Sequence, residues 1–248
     1  MGIDMNKKCL VSAIAAMLIT PLATAAPVAY VTQNSVGGMG NPQTWGGLSS
    51  PGKTGQSVAF ELTFDFTSAI DGISGPLLLW EAGATGSGAA LVIDDDNIHF
   101  MAGDGSDDIV SGLHGLAGGA DDVQIVSVFE IGAGANGTDE KLSLYINGSL
   151  LDSTDRATAN IWAGSDAGGL GIVQGGAGAR YSNGSPPFDG GAVANFPNNG
   201  TEISLNVYRL ASSGGDPDNT LANILVPEPS SLALLGLGGL LAARRRRG

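Results

Sequence analysis

Cysteine is almost absent from this sequence of 248 residues, in which the single thiol is that of Cys9. It lies in an N-terminal segment with a basic start, an apolar run from Leu10 to Leu22 and small residues at Ala23 and Ala25. These are the three parts of a secretory signal, so residues 1–25 are predicted to be a helical signal peptide that is cleaved after Ala25. The mature chain would then have no cysteine, which excludes disulfides and thiol catalysis.

Basic residues are also scarce, since 11 lysines and arginines stand against 24 aspartates and glutamates, a net charge of −13. The imbalance is concentrated in residues 26–225, where 5 bases and 22 acids make a charge of −17. A polyanion of this kind repels DNA, RNA and anionic lipid. The composition therefore disfavours a nucleic-acid-binding or peripheral-membrane role for the body.

Long helical patterns are missing from residues 26–225, where apolar residues do not recur at a spacing of three and four. Strand patterns are common instead, and Val58–Phe66 is the clearest because every second residue is apolar. Asn147 and Gly148, between two apolar runs, predict a tight hairpin because both turn residues must reach positive φ. Short strands with glycine-rich loops predict an all-β sandwich of two antiparallel sheets over residues 26–210. The other predicted strands are Leu77–Glu81, Ala90–Ile93, Ile98–Met101, Val123–Ile131, Leu142–Ile146, Ser149–Asp152, Leu170–Val173, Gly191–Phe196 and Ile203–Leu210.

The C-terminal region combines three features. A polar, turn-rich stretch over residues 211–225 is typical of a linker. After it, residues 226–248 contain a short hydrophobic helix, Leu232–Ala243, which would rise only about 18 Å against ~30 Å of bilayer hydrocarbon. The arginines that follow can hold this tail at the cytoplasmic interface as a membrane stop. The stop consists of Arg244, Arg245, Arg246 and Arg247, and the residues before the helix are Val226, Pro227, Glu228 and Pro229.

Pro227, Glu228 and Pro229, the short apolar helix and the arginine cluster resemble the PEP-CTERM sorting signal of Gram-negative bacteria. The resemblance implies recognition by an exosortase and cleavage near the Pro-Glu-Pro. It also implies transient residence in the inner membrane, followed by release or attachment at the cell surface, usually in bacteria that make exopolysaccharide. An ordinary permanent membrane anchor is the competing interpretation.

The body is similar to the laminin-G-like, concanavalin-A-like jelly rolls over roughly residues 57–173. The residues that carry this resemblance are Leu78–Glu81, Lys141–Leu151 and the Gly-rich stretch from Trp162 to Gly171. The resemblance implies a jelly-roll order of strands, but a fold alone does not imply a function.

Catalytic patterns are weak in this chain. Glu61 and Asp65 share one face of a predicted strand, but solvent-facing acids explain them as well, and two-carboxylate glycoside hydrolysis needs a matched pair. His99 and His114 are the only imidazoles and are expected on the surface or in loops, without the setting of a serine triad or a zinc site. We therefore expect a protein that is not an enzyme.

Calcium is the one metal to consider. Asp94, Asp96 and Asp104 belong to two acidic runs that flank a predicted strand and supply hard oxygen ligands. Neither run fits the twelve-residue helix-loop-helix pattern. A solvated acidic loop is the default interpretation, and a calcium site is the alternative.

Glycan binding is the remaining possibility for the body. Trp45 and Trp162 lie in glycine-rich segments and are the candidates for stacking against sugar rings at the surface. Trp80 lies in an apolar run and is expected to be buried. The sequence thus predicts a non-enzymatic exported protein of the cell surface or exopolysaccharide matrix, which binds carbohydrate or is structural. The alternatives are a polysaccharide-active hydrolase of concanavalin-A-like fold and a permanently anchored envelope protein.

Overall fold

The computed structural model describes residues 25–40, 56–84, 87–103, 107–131, 140–156, 168–174, 193–197 and 202–225. Within these ranges, twelve strands form two six-stranded sheets whose inner faces share one apolar core. This confirms the predicted two-sheet antiparallel sandwich. The strands are β1 (Val31–Gln33), β2 (Gly37–Gly40), β3 (Val58–Phe66), β4 (Leu77–Ala84), β5 (Ser87–Asp94), β6 (Asn97–Gly103), β7 (Asp107–Leu113), β8 (Ala120–Glu130), β9 (Glu140–Ile146), β10 (Ser149–Arg156), β11 (Gly168–Leu170) and β12 (Ile203–Arg209).

The strands alternate between the sheets in a way that local sequence does not reveal. The first sheet has the order β1-β12-β3-β8-β9-β10, and the second has the order β2-β11-β4-β5-β6-β7. The β9–β10 hairpin turns at Asn147 and Gly148, with φ of 48° and 76°. Positive φ at both turn residues matches the right-handed twist of the flanking strands, as the sequence predicts.

The core is built by the alternating apolar face of β3 and its counterparts on the second sheet. Phe60 of β3 stacks on Trp80 of β4, with ring centroids 4.2 Å apart and planes inclined by 14°. Because β3 and β4 belong to different sheets, this pair joins the two layers at their centre. Trp80 is fully buried, as expected, and a large side chain so placed contributes about 1.5–3 kcal/mol to folding.

Several strands differ from the sequence predictions. β1, β2 and β7 were not predicted, because β1 and β2 are only three and four residues long and β7 begins with two aspartates. The strand expected over residues 170–173 lies instead at Gly168–Leu170. Of the strand expected over 191–196, the described part makes an isolated parallel bridge between Ala194 and Leu77.

The segment predicted to be a linker, residues 211–225, is folded onto the body. It forms a 3-10 turn at Ala211–Ser213 and a short helix, α2 (Leu221–Ile224), whose N-cap is Thr220; the other short helix that the structure describes, α1 (Ser68–Asp71), follows β3. Ile224 is 1% exposed and packs with an apolar cluster on the outer face of the first sheet. The linker prediction is therefore corrected, because a few apolar residues among polar ones are enough to cover this cluster. The cluster consists of Ala59, Val126, Val128, Tyr208, Leu210 and Ile224.

The predicted signal helix and the C-terminal hydrophobic helix, at residues 1–24 and 226–248, lie outside the described residues. None of the helices that the structure describes has the length and apolar character needed for a membrane span.

Candidate functional site

Polar side chains collect on the outer face of the first sheet, the face turned away from the sandwich core. Along β3 the even-numbered residues are buried in the core, whereas Glu61, Thr63 and Asp65 are half-buried and face outward. Thr63 lines two cavities, of about 420 and 150 Å³. We call the larger one the acidic cavity and the smaller one the terminal cavity.

The acidic cavity is assembled from four parts of the chain that are distant in sequence. A β-bulge between Phe64 and Phe66 shifts the register of β3 against β8, and there Asp122 takes a φ of 51°. The Asp122 backbone N–H donates to Asp65 Oδ1 over 3.2 Å, and the Asp65 N–H donates to the Glu202 carbonyl over 3.3 Å. These bonds hold the three acidic residues around one opening. The lining consists of Asn34, Ser35, Val36, Thr63, Phe64, Asp65, Asp122, Glu202, Ile203 and Ser204.

The charged residues in the described lining of this cavity are all acidic. Among the residues that the structure describes there, Asp65, Asp122 and Glu202 carry carboxylates and none is basic. Because like charges repel, the cavity disfavours an anionic ligand and favours hydrogen-bond donors or cations. Hydroxyl-bearing residues and Asn34 supply further polar groups. The arrangement can accept several hydrogen bonds from a polyhydroxylated or amino-bearing ligand.

The terminal cavity is organised by Glu61, whose carboxylate is held by three neutral donors. Gln124 Nε2 donates to Oε1 over 2.6 Å, and the Tyr208 hydroxyl and Asn206 Nδ2 donate to Oε2 over 2.6 and 3.3 Å. Gln124 Nε2 also donates to the Ile224 carbonyl over 3.0 Å. Glu61 and Asp65, the two carboxylates considered for hydrolysis, therefore line different cavities. The lining consists of Ala26, Pro27, Glu61, Thr63, Asn206, Tyr208, Asn223 and Ile224.

Neither histidine is among the residues that line these cavities. The surface or loop placement expected for both is wrong for His99, which is buried within a strand, whereas His114 lies, as expected, in a loop, the one after β7, where its side chain is buried. His99 is 6% exposed in β6, and burial lowers its pKa from 6.5 to about 4. His114 Nδ1 accepts from the Leu116 N–H over 2.9 Å, so Nε2 carries the proton that it donates to the Asp95 carbonyl over 3.1 Å. Through these two hydrogen bonds, the His114 side chain connects the β5–β6 turn to the chain that follows β7.

Only one of the two acidic runs considered for calcium lies fully within the described residues. Asp94 ends β5, and Asp96 lies in the tight turn between β5 and β6, where Asp95 has a φ of 49°. Asp104, the candidate in the other run, lies outside the described residues. Among the described residues, no group of three or more histidine, cysteine, aspartate or glutamate side chains could hold a metal ion.

The remaining sequence candidates lie outside the described residues. These are the tryptophans proposed for glycan stacking, the signal-peptide residue Ala23, the residues of the sorting motif and the arginine stop; Ala25 is the first residue that the structure describes. The undescribed candidates are Ala23, Trp45, Trp162, Val226, Pro227, Glu228, Pro229, Arg244, Arg245, Arg246 and Arg247.

Sequence reasoning did not identify Asp122 and Glu202 as site residues, because nothing local in the sequence places them beside Asp65.

A family model of the PEP-CTERM protein-sorting motif matches residues 225–247. The C terminus is a PEP-CTERM sorting signal. The resemblance inferred from Pro227, Glu228 and Pro229 is thereby confirmed, and such a signal implies an exported protein with an exosortase as its processing partner. The match begins at Leu225, which is also the C-cap residue of α2. No curated protein matches the chain.

Solved structures similar to the body include the Ruminococcus gnavus IT-sialidase CBM40 bound to α2,3 sialyllactose, with 14% identity and a TM-score of 0.48 over 73% of this chain and 93% of that one. A leech intramolecular trans-sialidase has 17% identity and a TM-score of 0.48, over 78% and 28% of the two chains. The botulinum neurotoxin serotype D binding domain has 14% identity and a TM-score of 0.39, over 62% and 34%. The chain therefore spans about a third of the latter two structures. These neighbours are of jelly-roll type.

Proposed function

We propose that this protein is a non-enzymatic glycan-binding protein of the cell surface or exopolysaccharide matrix, and that the acidic cavity is its binding site. The observation that carries the proposal is the cavity of about 420 Å³ whose lining brings together three acidic residues and several hydroxyl-bearing residues. Its volume falls in the range of roughly 300–1,000 Å³ that is usual for small-molecule sites.

The lining favours a neutral or amino-sugar glycan over an acidic one. Vicinal sugar hydroxyls donate hydrogen bonds, and the carboxyl groups of Asp65 and Glu202 offer oxygen acceptors for them. Bonds to a charged acceptor are about twice as strong as neutral ones. An acidic sugar would bring its own carboxylate into a negative cavity on a body that carries −17, and charge repulsion opposes that approach.

The route to the surface follows from the two ends of the chain. The signal peptide, residues 1–25, directs export and is removed after Ala25. The sorting signal then holds the protein briefly in the inner membrane until an exosortase cleaves it and delivers the body to the cell surface or the extracellular matrix. Intact-mass measurement of the surface protein tests this route, since a permanent anchor leaves the C terminus at Gly248.

A glycan panel with neutral, amino and acidic polysaccharides tests the binding site. The purified protein should be retained by neutral or amino-sugar glycans, and Asp65→Asn combined with Glu202→Gln should weaken this binding by at least about tenfold. Glu130→Gln, which removes a carboxylate of the same sheet outside the cavity, is the matched control and should bind as the wild type does. Equal binding by all three proteins would place the site elsewhere.

A polysaccharide-active hydrolase is the second candidate, because Asp65 and Glu202 share one cavity and two carboxylates are the machinery of glycoside hydrolysis. Incubation with the host's exopolysaccharide separates the two functions. Retention without new reducing ends supports the binding protein. New reducing ends that disappear in the Asp65→Asn and Glu202→Gln double variant would replace it with the enzyme.

A further inference from the structure

The terminal cavity is the place where the two ends of the folded body meet. Ala26 and Pro27 line it from the N-terminal side, and Asn223 and Ile224 line it from α2. Of the described residues that line it, Glu61 alone has a carboxylate side chain, and none is basic. The cavity of about 150 Å³ therefore brings the start of the body close to a single negative charge.

The N-terminal segment is held in this position by hydrogen bonds to its backbone, most of them with the side chain of Asn219. Asn219 Oδ1 accepts from the Val28 N–H over 2.7 Å, and Asn219 Nδ2 donates to the Val28 carbonyl over 2.9 Å. The same amide donates to the Arg209 carbonyl at the end of β12 over 3.0 Å. Asn219 is fully buried, and the Tyr30 N–H donates to the Val207 carbonyl over 2.8 Å. Ala26 is thus only two residues from Val28, whose backbone is fixed by these hydrogen bonds.

Glu61 has neutral hydrogen-bond donors, and no cationic side chain lines its cavity within the part of the chain that the structure describes. Its three donors are the amides of Gln124 and Asn206 and the phenol of Tyr208. Because these groups are neutral, they donate hydrogen bonds to the Glu61 carboxylate oxygens without cancelling the negative charge. A half-buried carboxylate is stabilised by an opposite charge within a few ångströms. The described part of the chain leaves room for that charge on the side lined by Ala26 and Pro27.

We propose that removal of the signal peptide supplies this charge, so that the new α-ammonium group of Ala26 pairs with the Glu61 carboxylate in the terminal cavity. Signal peptidase hydrolyses the Ala25–Ala26 peptide bond with one water molecule, which leaves a carboxylate on Ala25 and an amine on Ala26. The amine takes up a proton at neutral pH, since an α-amino group has an ordinary pKa of about 7.7–8.0. In the unprocessed chain the same nitrogen is a neutral amide and no ion pair can form.

The pair couples N-terminal processing to the C-terminal segment that carries the sorting signal. Gln124 Nε2 donates both to Glu61 and to the Ile224 carbonyl, so the same side chain contacts the carboxylate and α2. The PEP-CTERM match begins at Leu225, the residue after Ile224. Signal-peptide cleavage therefore adds the positive charge that faces Glu61 in the terminal cavity. Asn223 and Ile224, which precede the sorting signal, line the same cavity.

Chemical labelling of the α-amino group tests this proposal on the exported protein after its signal peptide has been removed. The N terminus is first sequenced, and the native protein is then acetylated at pH 7. The labelling rates of Lys53 and Lys141, the two lysines of the mature chain, serve as internal references. An opposite charge raises the pKa of an amine, and a rise of half a unit slows labelling about threefold at this pH. Glu61→Gln should label at least about threefold faster than the wild type, while Glu130→Gln should label at the wild-type rate. All three proteins should label equally fast in urea.

A second variant keeps Glu61 intact and so remains informative if Glu61→Gln fails to fold. Insertion of one glycine between Ala25 and Ala26 moves the ammonium group one residue beyond the cavity, about 3.5 Å of extended chain. This variant should also label at the faster rate. A mature N terminus other than Ala26, or native labelling rates that are the same in the wild type and in the folded variants, would overturn the proposal.

Discussion

Replacement of His99 with leucine should remove a large part of the acid sensitivity of the folded body. His99 is almost fully buried in β6, opposite Val92 of β5, and burial lowers the pKa of its imidazole from 6.5 to about 4. It lies on the outer face of the second sheet together with Leu78 and Met101, so leucine suits its surroundings. The substitution removes the titrating group while it keeps an apolar side chain in place.

The magnitude follows from the difference between the two pKa values. Between pH 6.5 and 4 the unfolded chain binds a proton at His99 and the folded chain does not, so the stability of the fold decreases as the pH falls. A difference of about 2.5 pKa units corresponds to about 3 kcal/mol at 1.36 kcal/mol per unit. This contribution is fully present above pH 6.5 and is lost by about pH 4.

Urea unfolding at pH 7.5 and pH 4.0 measures this effect. The carboxylates titrate alike in both proteins, so the free energy of unfolding of the wild type should fall by about 3 kcal/mol more than that of His99→Leu. Leu78→Ala, which destabilises the same apolar cluster without a titrating group, should follow the wild-type pH dependence. Parallel loss of stability in the wild type and in His99→Leu would refute the reasoning.

Two further predictions concern the C-terminal part of the body. Ile224→Ala should lower the free energy of unfolding by about 2–5 kcal/mol, because Ile224 is 1% exposed and its truncation leaves a cavity against the first sheet. Urea unfolding measures it, with the exposed neighbour Ala222→Gly as the control; an unchanged midpoint would show that α2 does not stabilise the fold. Gly148→Ala should cost about 1 kcal/mol or more, since φ is 76° and a Cβ atom would lie 2.9 Å from the Leu225 carbonyl oxygen. Thermal unfolding checks this, and equal melting temperatures for Gly148→Ala and the wild type would contradict it.

Local patterns were enough to predict the parts of the fold that depend on local geometry. Alternation in Val58–Phe66 identified β3 because successive side chains of a strand must face opposite sides. Asn147 and Gly148 identified the β9–β10 turn because few other residues tolerate its dihedral angles. The polar composition of residues 211–225 led to the wrong prediction of a linker, because the buried side chains of Ile224 and Asn219 are enough to attach this segment to the sheet.

The sequence by itself determined the class of fold, the acidic character of the body and the sorting signal at residues 225–247. Each of these depends on composition or on neighbouring residues, and a linear signal is recognised without tertiary contacts. Only the tertiary structure decided that Asp65, Asp122 and Glu202 line one cavity while Glu61 lines another beside Ala26. Those positions depend on the register and order of β3, β8 and β12, which long-range packing of the apolar faces decides and no local pattern records.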